Sequence, residues 1–203
     1  MGQIKEYEYV DLGLPSGLKW AKCNIGAETE TDYGDYFMWG STIPNNDTPC
    51  DWEYAPFNNG SRDYNETYFD LVKDIVCTNG VLAKEYDAVY NATDGMARMP
   101  IKDEIQELLD NTDNEWVENY NGSGVNGRKF ISKTNGNSIF FPASGNGLGP
   151  LFINRGCYCF VWSSSLFASC PYEAWNLGFN SDYIGADDSS YRFLGFVVRG
   201  VMD

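Results

Sequence analysis

Two strand-like segments near the C-terminus limit what this chain can fold into. Residues 174–180, Ala174-Trp175-Asn176-Leu177-Gly178-Phe179-Asn180, alternate large apolar side chains with small or polar ones, the period of a half-buried strand. Residues 195–201, Gly195-Phe196-Val197-Val198-Arg199-Gly200-Val201, are an apolar run that reads as a buried strand. Beside them stand Val161-Trp162-Ser163-Ser164-Ser165 and two stretches with no period, Leu166-Phe167-Ala168-Ser169-Cys170 and Asp187-Asp188-Ser189-Ser190-Tyr191. A strand frame carrying irregular, aromatic-rich segments suits a binding surface on a rigid scaffold. Trp162, Trp175, Phe179 and Phe196 occupy the regular frame and are expected in the core.

Upstream, residues 6–12 alternate as a strand, with Tyr7, Tyr9 and Leu12 on one face and Glu8 on the other. Leu14-Pro15-Ser16-Gly17 is a turn, and residues 18–25 return as the second strand of a hairpin. Residues 33–40 are a short aromatic strand bracketed by glycines. Residues 41–67, rich in Asn, Asp, Pro and Gly, read as a long ordered loop pinned by Trp52, Tyr54 and Phe57. Residues 68–76 read as a short helix, and 79–94 fit no single element. The clearest helix begins at Met99-Pro100: Ile101, Ile105, Leu108 and Leu109 form one stripe, and Asp103 and Glu104 sit at the positive N-terminal end. Asn111 ends it. A strand over 116–120 and a hairpin of 125–133 with 138–143, turning at Asn135-Gly136, complete the frame. No repeat or linker divides residues 1–203, so one α+β domain is expected.

The net charge of −15 argues against nucleic acid, since binding phosphates needs clustered Lys and Arg. Without a single His, Ser-His-Asp and Cys-His catalysis and His-ligated metal sites are excluded. The six cysteines, Cys23, Cys50, Cys77, Cys157, Cys159 and Cys170, contain no CxxC pair; free, partly buried thiols are favoured over disulfides. Gly145-Asn146-Gly147-Leu148-Gly149 lacks the Lys and helix start of a phosphate loop. No run is long and apolar enough to span a bilayer, and the N-terminus lacks signal-peptide character. Neither a cofactor nor membrane insertion is expected.

Several motifs in order carry a resemblance. They are Tyr9-Val10-Asp11-Leu12-Gly13-Leu14-Pro15-Ser16-Gly17-Leu18-Lys19-Trp20-Ala21, Cys23-Asn24-Ile25-Gly26-Ala27 and Tyr33-Gly34-Asp35-Tyr36-Phe37-Met38-Trp39-Gly40. Arg98-Met99-Pro100, Asn137-Ser138-Ile139-Phe140-Phe141-Pro142-Ala143, Trp162-Ser163-Ser164-Ser165 and Gly195-Phe196-Val197-Val198-Arg199 follow. Together they resemble the formylglycine-generating-enzyme subclass of the C-type lectin fold, in particular variable proteins of diversity-generating retroelements in gut bacteria and their phages. In role these are similar to the phage major tropism determinant. The chain departs from the pattern at Ile101, where relatives carry a polar, cap-like residue.

The resemblance implies N- and C-terminal strands paired through Val201, and a C-terminal window, about 157–194, rewritten by adenine-targeted copying. Such rewriting of Asn-type codons yields Tyr, Phe, Ser, Cys, Asp, Gly and Leu, but not Lys, Gln, Glu, Met or Trp. The window contains no Lys, Gln or Met; Glu173, Trp162 and Trp175 fall on the frame. The implied variable, ligand-binding positions are Tyr158, Cys159, Phe160, Leu166, Phe167, Ser169, Cys170, Tyr172, Gly178, Tyr183, Gly185, Asp187, Asp188, Ser189, Ser190, Tyr191, Phe193 and Leu194. The implied partner is a macromolecule, a protein or glycan on a bacterial surface, met by a chain on a virion or cell surface. No chemical step is involved.

Three alternatives stand beside this. A calcium-dependent lectin would use Asp182, Asp187 and Asp188 with the Asn180 carbonyl, although the sugar-binding triplets of calcium lectins are absent. An oxidase-like enzyme would use Cys157 and Cys159, with Arg155 the only nearby cation. A surface protein without a dedicated ligand is the plainest.

Overall fold

Tight turns organise the N-terminal half of the computed structural model, which describes residues 7–57, 77–170 and 172–203. The helix expected over 68–76 and the end of the 41–67 loop lie outside the described residues. At the first turn Gly17 N donates to Leu14 O at 2.9 Å, and Gly17 adopts φ +80°, a left-handed angle that favours glycine. That turn joins β1 (Tyr9–Asp11) to β2 (Lys19–Ala21). Then come β3 (Tyr36–Phe37), β4 (Cys77–Thr78) and β5 (Val81–Leu82).

A short helix, Ala88–Ala92, fills part of the stretch that fitted no single element. Its cap is Asp87, whose Oδ1 accepts from Val89 N (2.8 Å) and Tyr90 N (3.0 Å). The other oxygen accepts from Met99 N at 2.9 Å, tying this helix to the approach of the next.

The long helix, Lys102–Asn111, buries Ile105 and Leu108, the stripe its spacing predicts. Ile101 supplies no side-chain oxygen for capping. Two other groups do that work: Glu104 reaches back to Ile101 N at 2.8 Å, and Ser165 Oγ, from a distant strand, accepts from Lys102 N at 3.0 Å. Arg98 grips Glu104 with both terminal nitrogens, at 2.7 and 2.6 Å.

Directly after the helix, β6 (Thr112–Val117) begins four residues earlier than the expected strand. Thr112 Oγ1 donates to Leu108 O at 2.6 Å, so the helix end needs no loop. Next are β7 (Gly127–Ser132) and β8 (Ser138–Pro142), the expected hairpin, with Gly136 at φ +75°. The remaining strands are β9 (Asn146–Leu148), β10 (Leu151–Ile153), β11 (Cys159–Leu166), β12 (Glu173–Phe179), β13 (Ile184–Tyr191), β14 (Phe196–Val197) and β15 (Val201–Met202).

The chain is mostly β with few helices, compatible with α+β. The main sheet runs β13-β12-β11-β14-β3, with β5 also joined to β11, and a second sheet runs β6-β7-β8. The third sheet, β1-β2-β15, corrects one expectation. The C-terminal strand pairs with β2, Val201 opposite Trp20, and not with β1. Trp20 and Ala21 are buried, so β2 is the strand that needs a partner on both edges; β1 is half-exposed.

One core cluster joins Ile105 and Leu108 of the long helix to Val161, Leu177, Phe179 and Trp20. A second gathers Trp39, Trp162, Phe196 and Val198. Arg199, inside the apolar C-terminal run, is wholly buried. Its Nε donates to Asn24 Oδ1 and its Nη1 to Phe140 O, both at 2.8 Å, and its guanidinium carbon lies 3.8 Å from the Phe141 ring centroid. Burial lowers its pKa to about 10.

Candidate functional site

Strands β11, β12 and β13 carry most of the positions that the resemblance implicates, and their register decides which way each one points. Directly opposed residues share a face. Cys159, Phe179 and Ile184 align, as do Val161 and Leu177, and this face meets the first core cluster under the long helix. On the other face Phe160, Gly178 and Gly185 form one row and Trp162, Asn176 and Asp188 the next. Leu166, Ala174 and Ser190 make a third.

Asp187-Asp188-Ser189-Ser190-Tyr191, expected as irregular, is therefore part of a strand. A ladder holds a segment through its backbone whatever its side-chain period. Polar bonds add to it: Asn176 Nδ2 donates to Asp188 O at 3.2 Å and Ser190 Oγ at 3.1 Å, and Ser189 Oγ donates to Glu173 Oε2 at 2.6 Å. Between the Gly178–Gly185 and Asn176–Asp188 pairs, β13 has two residues, Ala186 and Asp187, against one on β12, Leu177. This bulge turns two consecutive carboxylates to one side. Asp187 Oδ1 lies 2.9 Å from where a Gly185 side chain would start, and Asp188 Oδ2 occupies the corresponding space above Gly178. Ala186 faces the core.

The implicated positions separate into four groups. Cys159 and Leu166 are core residues, at 0% and 6% exposure, which corrects their expected display. Phe160 and Leu194 are only partly exposed and pack against the second core cluster. Phe160 stacks on Phe196 at 4.9 Å and carries Tyr158, parallel at 6.2 Å, outward. Gly178 and Gly185 are buried floor rather than contact residues. Tyr183, Asp187, Asp188 and Ser190 stand on the face above that floor; Tyr183 donates to Asp188 Oδ1 at 3.0 Å.

The fourth group lies elsewhere. Tyr172, Tyr191 and Phe193 cluster with Trp52, whose ring is 4.9 Å from Phe193 and 6.4 Å from Tyr191. Ser169 and Cys170 belong to the turn between β11 and β12. Ser189 is paired with Trp175, on the opposite side of the sheet from Asp188. Trp175 corrects its expected core placement: it is only partly buried, with Lys102 Nζ 3.3 Å above its ring and Phe167 edge-on at 4.7 Å. Alternation with Leu177 and Phe179 pointed it inward, but it sits where the long helix begins and cover runs out. Trp52 and Trp175 are thus surface aromatics that periodicity misses.

The cysteine pair occupies two environments. Cys157 is exposed, whereas burial pushes the Cys159 thiol up to about 11, beside Ser144 Oγ at 3.3 Å. Arg155, the cation expected near them, is turned to aromatics: its Nε donates to Tyr36 OH at 2.9 Å and its guanidinium lies 4.6 Å from the Phe152 ring. For calcium, Asn180 Oδ1 already accepts from Asp182 N and Tyr183 N, and its carbonyl from Arg128. Among the described residues no group of three or more His, Cys, Asp or Glu is placed to hold a metal, and no helix is long and apolar enough to cross a membrane.

Burial raises the Asp188 pKa, with the neighbouring Asp187 charge adding to it and the Tyr183 hydrogen bond opposing. Tyr183 is itself pushed up to about 12, chiefly by burial. No family profile, curated protein or solved structure matches the chain.

Proposed function

We propose that this protein is a recognition module with a C-type-lectin-like fold, which binds a protein or glycan on a bacterial surface through exchangeable side chains at the β11–β13 face and at the separate Trp52 cluster. One observation carries it. Tyr158, Tyr183 and Tyr191 are 41%, 45% and 40% exposed, yet each stands on or beside a strand anchored in the core. Exposed tyrosines on a fixed backbone supply contact area at little ordering cost, as paratopes do. The β1-β2-β15 sheet, in which the C-terminal strand joins the second strand of the N-terminal hairpin, supports the lectin-like fold. Binding here is complementarity without a chemical step, and the positions implied to vary number more than the ones that reach solvent.

The test is binding of the purified chain to intact cells of a panel of gut bacteria, read by flow cytometry, with and without Tyr158→Ala, Tyr183→Ala and Tyr191→Ala. Saturable binding that these variants weaken at least about ten-fold supports the proposal. Binding to no cell type, or binding unaffected by all three, overturns it. Comparing copies of the locus tests the diversification: differences spread evenly along the chain would overturn that part.

A further inference from the structure

Three segments far apart in the chain enclose an open cleft of about 320 Å³ where β6 ends and β7 begins. That volume is at the lower end for small-ligand sites. Trp116 and Glu118 come from the end of β6, Tyr158 from the approach to β11, and Asn180 and Asp182 from the β12–β13 turn. The walls are tied to one another. Asn126, also in the lining, donates through Nδ2 to Gly156 O at 3.2 Å. Arg128 Nη2 holds the turn from behind, donating to Asn180 O at 2.7 Å and Ser181 O at 3.2 Å. A cleft fixed in this way needs little ordering to receive a ligand.

Its chemistry is mixed. Trp116 packs on the first core cluster without being fully covered, and Tyr158 is 41% exposed, so two aromatic residues border the space. Beside them are acceptors and a donor left over among the described residues. The exposed Glu118 carboxylate makes no ion pair there. Asp182 Oδ2 accepts from Ser181 Oγ at 3.1 Å, which leaves Oδ1. Asn180 is oriented through its Oδ1, which takes Asp182 N at 2.7 Å and Tyr183 N at 2.8 Å, and its Nδ2 remains to donate.

This set selects among ligands. An anion would be repelled by both carboxylates, and among the described residues no Lys or Arg lines the cleft. A cation would meet the Asn180 N–H groups, and the Asp182 charge already acts on the Arg128 guanidinium behind the turn. An apolar side chain would cover the polar groups without pairing them. A sugar hydroxyl both donates and accepts, so it can serve Asn180 and a carboxylate together. The C–H face of a pyranose also suits the negative face of an aromatic ring.

We propose that this cleft is a calcium-independent subsite for a neutral pyranose of a surface glycan. Trp116 and Tyr158 take its C–H face, Glu118 and Asp182 accept from its hydroxyls, and Asn180 Nδ2 donates to one of them. Of the positions implied to vary only Tyr158 lines the cleft, so this is a fixed subsite beside the exchangeable surface. The assignment rests on the recognition function proposed above for the source of the sugar.

The experiment titrates the full chain, amide-labelled with nitrogen-15, with the methyl pyranosides of glucose, galactose, mannose and N-acetylglucosamine, with EDTA present throughout. At least one glycoside is expected to give saturable shifts of the Glu118, Gly156 and Asp182 amides, with Kd of about 1–10 mM. Tyr158→Ala and Asp182→Ala, each checked for an otherwise unchanged spectrum, weaken it at least about five-fold, and Glu118→Gln weakens it less. No shift by any glycoside, shifts centred elsewhere, binding that appears only when calcium replaces EDTA, or indifference to both alanine variants would each overturn the assignment. So would choline chloride shifting the same amides as strongly, since the cleft would then be a cation site. The glycosides need no cell and no macromolecular ligand, so their failure leaves cell binding intact, and absence of cell binding leaves the glycoside result unchanged.

Discussion

Asp87 offers the sharpest check on how the frame is held. It is 5% exposed, yet its two oxygens take three backbone N–H groups: Val89 and Tyr90 on one, Met99 on the other. Asp87→Ala removes an N-cap, which costs about 0.5–2 kcal/mol. It also strands the Met99 N–H in the interior, which costs about 1–3 kcal/mol. Releasing a buried carboxylate offsets part of this, so a net loss of about 2–3 kcal/mol is expected. Asp87→Asn keeps the cap oxygen and replaces only the Met99 acceptor, so about 1–2 kcal/mol is expected.

Burial lifts the Asp87 pKa above its ordinary 3.8 despite the three N–H bonds. An acid with a raised folded pKa holds its proton more firmly folded than unfolded. Its stabilising contribution is therefore full below 3.8 and falls as pH rises through the folded pKa. The destabilisation by Asp87→Asn should shrink as pH rises through that window. Urea unfolding at several pH values, with m held constant, measures both effects. An unchanged midpoint for Asp87→Ala, or an Asn deficit that grows with pH, would refute the reasoning.

Arg199→Ala should cost about 2–5 kcal/mol by urea unfolding, because Asn24 Oδ1 and Phe140 O lose their donors inside the core; Arg199→Met, which refills the volume, should cost less. Trp162→Ala should destabilise by about 3–5 kcal/mol, whereas Trp175→Ala, at a ring that is only partly buried, should cost less, about 1–3 kcal/mol, with calorimetric melting as the measurement. A thiol reagent at neutral pH should label Cys157 and leave Cys159 unmodified until unfolding, as peptide mass mapping will show.

Local patterns made much of this fold legible. The Leu14–Gly17 turn, the Asn135-Gly136 hairpin and the helix stripe of Ile105 and Leu108 each rest on contacts a few residues apart. Trp162, Phe179 and Phe196 lie inside as their setting predicts. The helix cap was not legible, since Ser165 reaches Lys102 across 63 positions. Nor was the β13 strand: a polar run has no apolar period, and its ladder partner lies on another segment.

The display surface divides the same way. Composition showed which residues were unusual, but exposure is a property of neighbours. Cys159 and Tyr158 are adjacent in the chain, and pleating buries one and presents the other. Asp187 and Asp188 share a side only because a bulge interrupts the alternation between β12 and β13. The order of amino acids by itself determined turns, helix and strand propensity and the absence of histidine chemistry, all matters of local geometry or side-chain inventory. Which rings and carboxylates meet over the glycine floor was decided only by tertiary structure, because inter-strand register is set by packing between distant segments.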